Sequence, residues 1–177
     1  MRHHQFLISL VLGCCLAMLG CAADPEGKSE SATSLLEPCE LITKSDAETI
    51  IGEPVKPAEK SEQQVVGMKL CMYNPQDENS TAFLQIALTQ QAFMNPDGVP
   101  PSDIFHSIKK AHREDRIDVT GIGEEAFIAD GGLYILINGD YISIGAGNTD
   151  HPGIRERLKK AGETAINNLV ILRQQES

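Results

Sequence analysis

Apolar residues in this chain recur with two different periods, and the order of those periods sets out the elements. From Thr81 to Gln90, Ala82, Leu84, Ile86 and Leu88 alternate with other residues, and from Val65 to Tyr73 the same spacing puts Val66, Met68, Leu70 and Met72 on one side. A period of two predicts strands. Three more strands are expected at Gly123 to Ala129, Leu133 to Ile137 and Tyr141 to Gly145. The last two flank Asn138-Gly139, a strong short hairpin signal. Such a turn pairs Ile137 with Asp140, Leu136 with Tyr141, Ile135 with Ile142 and Leu133 with Ile144.

Helical spacing appears three times. Thr43 with Asp46 three residues on, and Gly52 as the stop, predicts a short helix over 44–51 that buries Ala47, Ile50 and Ile51. Pro100-Pro101-Ser102 opens a second helix with Ile104, Phe105, Ile108 and Ala111, ending near Arg116. A third runs from about Pro152 to Arg173 with a stripe of Ile154, Leu158, Ala161, Ala165, Leu169 and Leu172. Helices interleaved with adjacent hairpins predict an α+β domain: an antiparallel sheet of about five to six strands packed by helices on one face. With Leu133, Ile135, Ile142 and Ile144 turned to those helices, the other face carries Tyr134, Leu136 and Tyr141, joined by Tyr73 and Phe83 from other strands. An aromatic group on a sheet face open to water is expected to meet an apolar ligand or a partner, unless the 91–101 loop, the preceding tether or the segment at Cys39 covers it.

The N-terminus departs from both periods. A short basic head precedes an apolar run from Phe6 that ends in Met18-Leu19-Gly20-Cys21. This is the layout of an export signal, and its last four residues resemble a bacterial lipobox. Residues 1–20 are therefore expected to be a lipoprotein signal peptide, with Cys21 acylated. Val11-Leu12-Gly13-Cys14 offers a second site, but cleavage there leaves an apolar region of only Phe6 to Gly13. Residues 21–37, poor in apolar side chains, are expected to be a flexible tether whose acids keep it off anionic headgroups, and residues 38–177 a single domain. The expected location is the cell envelope. In a Gram-negative host the expected membrane is the outer one, because Ala22 and not Asp follows the lipidated cysteine.

Cysteine use follows from export. Of five cysteines, Cys14 and Cys15 leave with the signal and Cys21 takes the lipid, so Cys39 and Cys71 remain. In an oxidising compartment a disulfide between them is expected; the alternative is a catalytic thiol, although no histidine motif accompanies either one.

Charge removes one class of partner. The chain of 177 residues carries 15 Lys+Arg against 25 Asp+Glu, a formal charge of −10, so the electrostatic attraction that drives nucleic-acid binding is missing. Nine of the 15 basic residues fall on the second and third helices, where they read as solvated helix faces or as a docking face for an acidic partner.

Candidate chemistry is sparse. His106 and His112 are not at the i, i+4 spacing of a helical zinc pair, and no metal or cofactor is expected. His112 stands among charged residues without a nucleophile in its motif. Glu124 and Glu125 alternate across a strand, whereas a two-carboxylate hydrolase needs both aimed at one bond.

Pro38-Cys39-Glu40-Leu41-Ile42-Thr43, then Ile51-Gly52-Glu53-Pro54-Val55, Cys71-Met72-Tyr73 and Gly121-Ile122-Gly123-Glu124-Glu125-Ala126-Phe127 resemble the small lipoproteins of unknown function typical of actinobacteria. That family shares a Cys-x-Leu-Leu-Thr helix opening, a Cys-x-Tyr strand and a Gly-x-Gly-Asp-Glu-Ala-Tyr strand. The resemblance spans about residues 38–173. It implies an exported α+β domain distantly like the photosystem-II oxygen-evolving accessory fold, with Cys39 and Cys71 bridged. The expected function is thus a non-enzymatic, lipid-anchored binding or accessory module of the cell envelope, partnered by the membrane through its lipid and by an envelope protein or apolar ligand. The alternatives are an envelope hydrolase using His112 or the Glu124/Glu125 pair, and a structural subunit of an envelope complex.

Overall fold

A computed structural model of the protein describes residues 35–175; Cys14 and Cys21, and with them the expected signal and acylation site, lie outside the described residues. Two short helices come first, α1 (Pro38–Leu41) and α2 (Lys44–Ile51). The expected capping box closes α2: the Thr43 hydroxyl accepts from the Asp46 amide, and the Asp46 carboxylate accepts from the Thr43 amide at 2.9 Å. Gly52, at φ 91°, ends it in the left-handed conformation that costs glycine least. As the spacing predicts, α2 buries Ala47, Ile50 and Ile51.

Three strands follow, β1 (Glu59–Gln63), β2 (Met68–Tyr73) and β3 (Leu84–Thr89), then helix α3 (Pro101–Ala111), strands β4 (Ile117–Val119), β5 (Glu125–Ala129), β6 (Gly132–Ile137) and β7 (Asp140–Gly145), and the long helix α4 (Pro152–Gln175). All seven strands join one sheet in the order β1-β2-β3-β7-β6-β5-β4, with every pairing antiparallel. The β6–β7 hairpin has the register its Asn-Gly turn dictates, Leu136 opposite Tyr141 and Leu133 opposite Ile144. Asn138 and Gly139 take φ of 50° and 78°, the pair of positive angles a type I′ turn requires.

Two strands escape the hydrophobic pattern. β1 is Glu-Lys-Ser-Glu-Gln, exposed throughout, and forms one edge of the sheet, where charge discourages further pairing. β4, at the other edge, has only three residues.

Three expectations need correction. First, the helices do not all lie on one face. α1, α2 and α4 cover the face that carries Leu133, Ile135, Ile142 and Ile144. α3 covers part of the opposite face, packing Phe105 on Phe127, Leu136 and Tyr141. Second, β2 turns its other side inward: Lys69, Cys71 and Tyr73 are buried while Met68, Leu70 and Met72 are only half-buried. Alternation alone cannot say which side is inward when both are apolar. The disulfide between Cys39 and Cys71 decides it, with the Tyr73 hydroxyl donating to the Ile42 carbonyl at 2.7 Å. Third, the packed chain starts before Pro38. Leu36 is buried in the main core, and its backbone forms two hydrogen bonds of 2.9 Å with the Gln90 side chain, so the ordered domain already includes Leu36 and Glu37, whose carboxylate pairs with Lys69.

Helix α4 lies close to the sheet. A Cβ on Gly162 would stand 2.6 Å from a Leu133 methyl, so glycine there sets the approach between helix and strand. At its far end Arg173 reaches Asp140 at 3.1 Å and ties α4 to the start of β7.

Candidate functional site

The aromatic face expected as a binding surface is real as a cluster and closed as a surface. Phe105 of α3 lies 5.4 Å from Phe127 and 6.1 Å from Tyr141, ring centre to ring centre, and Tyr134 stacks on Phe127 at 4.9 Å. Leu136 and Tyr141 are buried beneath that helix. Burial pushes the Tyr141 hydroxyl well above its usual range, and burial together with Asp130 raises that of Tyr134. Tyr73 is on the other face, in the main core; burial first, and the Asp46 charge second, push its hydroxyl up to about 12. Phe83 is half-buried over Gly145, with a ring carbon 3.6 Å from where a Cβ would stand. These five residues therefore form no common open surface.

The residues weighed for hydrolysis are also placed. Glu125 is held by Lys109 at 2.7 Å and His106 at 3.0 Å, and these two partners, Lys109 first, keep its carboxyl below the usual range. Glu124 accepts the Asn138 amide at 2.9 Å and so braces the β6–β7 turn. His112 pairs with Asp115 at 3.0 Å and stacks against Tyr134. The three groups are each engaged in separate contacts and are not aimed at one point. Among the described residues no three His, Cys, Asp or Glu side chains are grouped to hold a metal ion.

What the structure does bring together is an apolar groove of about 670 Å³ beside α3. Three segments build it. The chain leaving β1 makes a single 3-10 turn, Gln64–Val66, closed by Gly67 at φ 65°, and this presents Val65 and Val66. The 95–99 stretch supplies Asp97 and Val99. Helix α3 supplies Asp103, Ile104 and Ile108. Met94 is the buttress between them: a Cβ on Gly67 would stand 2.7 Å from the Met94 Cβ, and one on Gly98 would stand 2.5 Å from its sulfur. Both glycines thus leave room for one buried methionine that holds the turn and the loop together.

The groove exposes apolar side chains side by side. Val65 is 73% exposed, Val99 59% and Val66 41%, an apolar strip of the kind that marks a binding surface. The periodicity does not reveal it, because Val65 and Val66 continue the β2 alternation and read as part of that strand. The signal available was the glycine after them, which stops a strand as readily as it bends one.

The groove also lies at the end of the sheet where the chain enters the domain. Leu36 is bonded to the Gln90 side chain, the Gln90 amide donates to the Gly67 carbonyl at 2.9 Å, and Gly67 follows Val66 directly. Lys69, pairing with Glu37, lies 4.8 Å from the centre of the Phe93 ring and ties the same corner.

Among the described residues no helix is long and apolar enough to cross a membrane. In comparisons with protein-family models, curated proteins and solved structures, none matches this chain.

Proposed function

We propose that this protein is a non-enzymatic binding or accessory module of the cell envelope, exported and held at the membrane by lipid on Cys21, with the groove beside α3 as its contact surface. The resemblance to small actinobacterial lipoproteins belongs to the same reading. The observation that carries it is the exposed Val65, Val66 and Val99 strip at the corner where the N-terminal segment joins the domain. The disulfide between Cys39 and Cys71 supports export, since oxidising compartments are where such bonds persist.

Two measurements test the reading. Mass spectrometry of the mature protein is expected to show loss of residues 1–20 and added acyl chains on Cys21; more than one chain is needed for stable anchoring. An intact Met1 refutes the anchor. A photo-crosslinking residue at Val66, in intact cells, is expected to give a discrete adduct that the same residue at Val170, on the opposite side of the domain, does not. Equal labelling from both positions removes the groove as the contact surface.

A further inference from the structure

Building on the binding-module reading, we infer that the groove takes a basic amphipathic peptide segment of a partner at the membrane surface, with aliphatic side chains on the valine strip and lysine or arginine beside Asp97 and Asp103. Three observations choose this occupant. The apolar wall formed by Val65, Val66, Val99 and Ile104 suits aliphatic groups and is open along its length, as a peptide requires. Among the described residues, every charged one that lines the groove is acidic: Asp97 and Asp103, with no lysine or arginine. Neither carboxylate makes an ion pair among the described residues, so both charges face whatever docks there.

The same charges argue against the other occupants. An anionic bilayer is drawn to surfaces that carry Lys and Arg, and this groove offers acids. Two copies meeting groove to groove would place Asp97 and Asp103 against their own counterparts, a like-charge contact that costs affinity. A basic segment reverses both signs. The groove begins one residue before the Gly67 carbonyl that accepts from Gln90, whose side chain holds Leu36.

The test uses the full chain in a non-ionic detergent, with empty micelles as the blank, and two fluorescent octapeptides: one alternating Leu and Lys, the other alternating Leu and Glu. The Leu-Lys peptide is expected to bind, and the Leu-Glu peptide to bind at least about tenfold more weakly, a difference of about 1.4 kcal/mol. Val65→Ser with Val99→Ser should weaken Leu-Lys binding about tenfold, as loss of buried anchors does. Asp97→Asn with Asp103→Asn should weaken it and flatten its salt dependence. Glu163→Gln, which removes an exposed acid on α4, should leave it unchanged. Equal affinity for both peptides overturns the inference, and so does Leu-Lys binding that survives the groove substitutions or falls equally with Glu163→Gln. Binding of lipid-only vesicles that depends on Val65 and Val99, or self-association that depends on them, also overturns it in favour of a bilayer or a second copy. If the Val66 adduct forms in cells while neither peptide binds, the peptide chemistry fails and the binding-module reading stands; if the adduct is missing, that reading fails.

Discussion

The face of the sheet that carries Leu133, Ile135, Ile142 and Ile144 is closed by α1, α2 and α4 and stapled by a disulfide, whereas the face that carries Phe127, Leu136 and Tyr141 has, among the described residues, only the helix α3. The first face buries its apolar residues almost without remainder. The second spends its one helix on the aromatic cluster over β5, β6 and β7, and leaves Met68, Leu70 and Met72 half-buried and Val65, Val66 and Val99 exposed. Most of the apolar surface that stability requires is under a helix, and Val65, Val66 and Val99, beside the edge of α3, are exposed.

The largest expected effect tests whether α3 is the sole cover of its face. Phe105→Ala removes a ring with no exposed surface and is expected to cost about 3–5 kcal/mol, measured by urea unfolding. It should also open Tyr141, buried beneath α3, to iodination. Ile142→Ala, on the other face, is expected to cost about 2–5 kcal/mol without exposing Tyr141. If Phe105→Ala leaves Tyr141 protected, the second face has cover beyond α3.

Reducing the disulfide sharpens the same contrast from the other side. Cys39 and Cys71 are 32 residues apart, and opening a loop of that length is expected to cost about 3–4 kcal/mol in the chain-entropy account. That corresponds to a fall in melting temperature of about 10 °C. Hydrogen exchange should quicken in α1 and β2 before it quickens in α3; uniform quickening would mean that the two faces are not separately secured.

Two carboxylates should give opposite pH dependences. Asp140, on the closed face, has its carboxyl raised by burial, which outweighs the pull of Arg173. The folded state therefore holds that proton more tightly than the unfolded chain, and stability falls as pH rises from the ordinary carboxyl value of 3.8 through the raised one. Glu125, on the α3 face, is lowered by Lys109 and then His106. Its contribution is present above the unfolded value of 4.5 and is lost as pH falls through the folded value. In unfolding free energies measured from pH 3 to 6, Asp140→Asn should remove a downward slope and Glu125→Gln a weaker upward one. Slopes of the same sign would contradict the environments described for the two groups.

The smallest expected effect falls on the groove. Val65→Ser and Val99→Ser, at positions more than half exposed, should each change stability by less than about 0.5 kcal/mol, by the same urea measurement. A cost above about 2 kcal/mol would make these valines part of the core and end the distinction between covered and spare apolar surface.

Local signals in the sequence determined much of this domain. The Thr43–Asp46 box and Gly52 delimit α2, Asn138-Gly139 sets the β6–β7 register, and the helical stripe marks α4, because each depends on residues within a few positions of one another. The pairing of Cys39 with Cys71 also follows from counting cysteines under the expectation of export. Tertiary structure decided the rest. The stripe on α3 shows that the helix buries Phe105, but not which face of the sheet it meets, since both faces are apolar. β1 has no apolar period to read, and only pairing with β2 makes it a strand. The inward side of β2 is set by a disulfide and a tyrosine hydrogen bond to segments some thirty residues earlier in the chain. The groove needs three segments brought together around Met94, two of them joined through the space left by glycines. Spacing along a chain reports on neighbours in sequence, and a surface built from distant segments exists only once packing has placed them side by side.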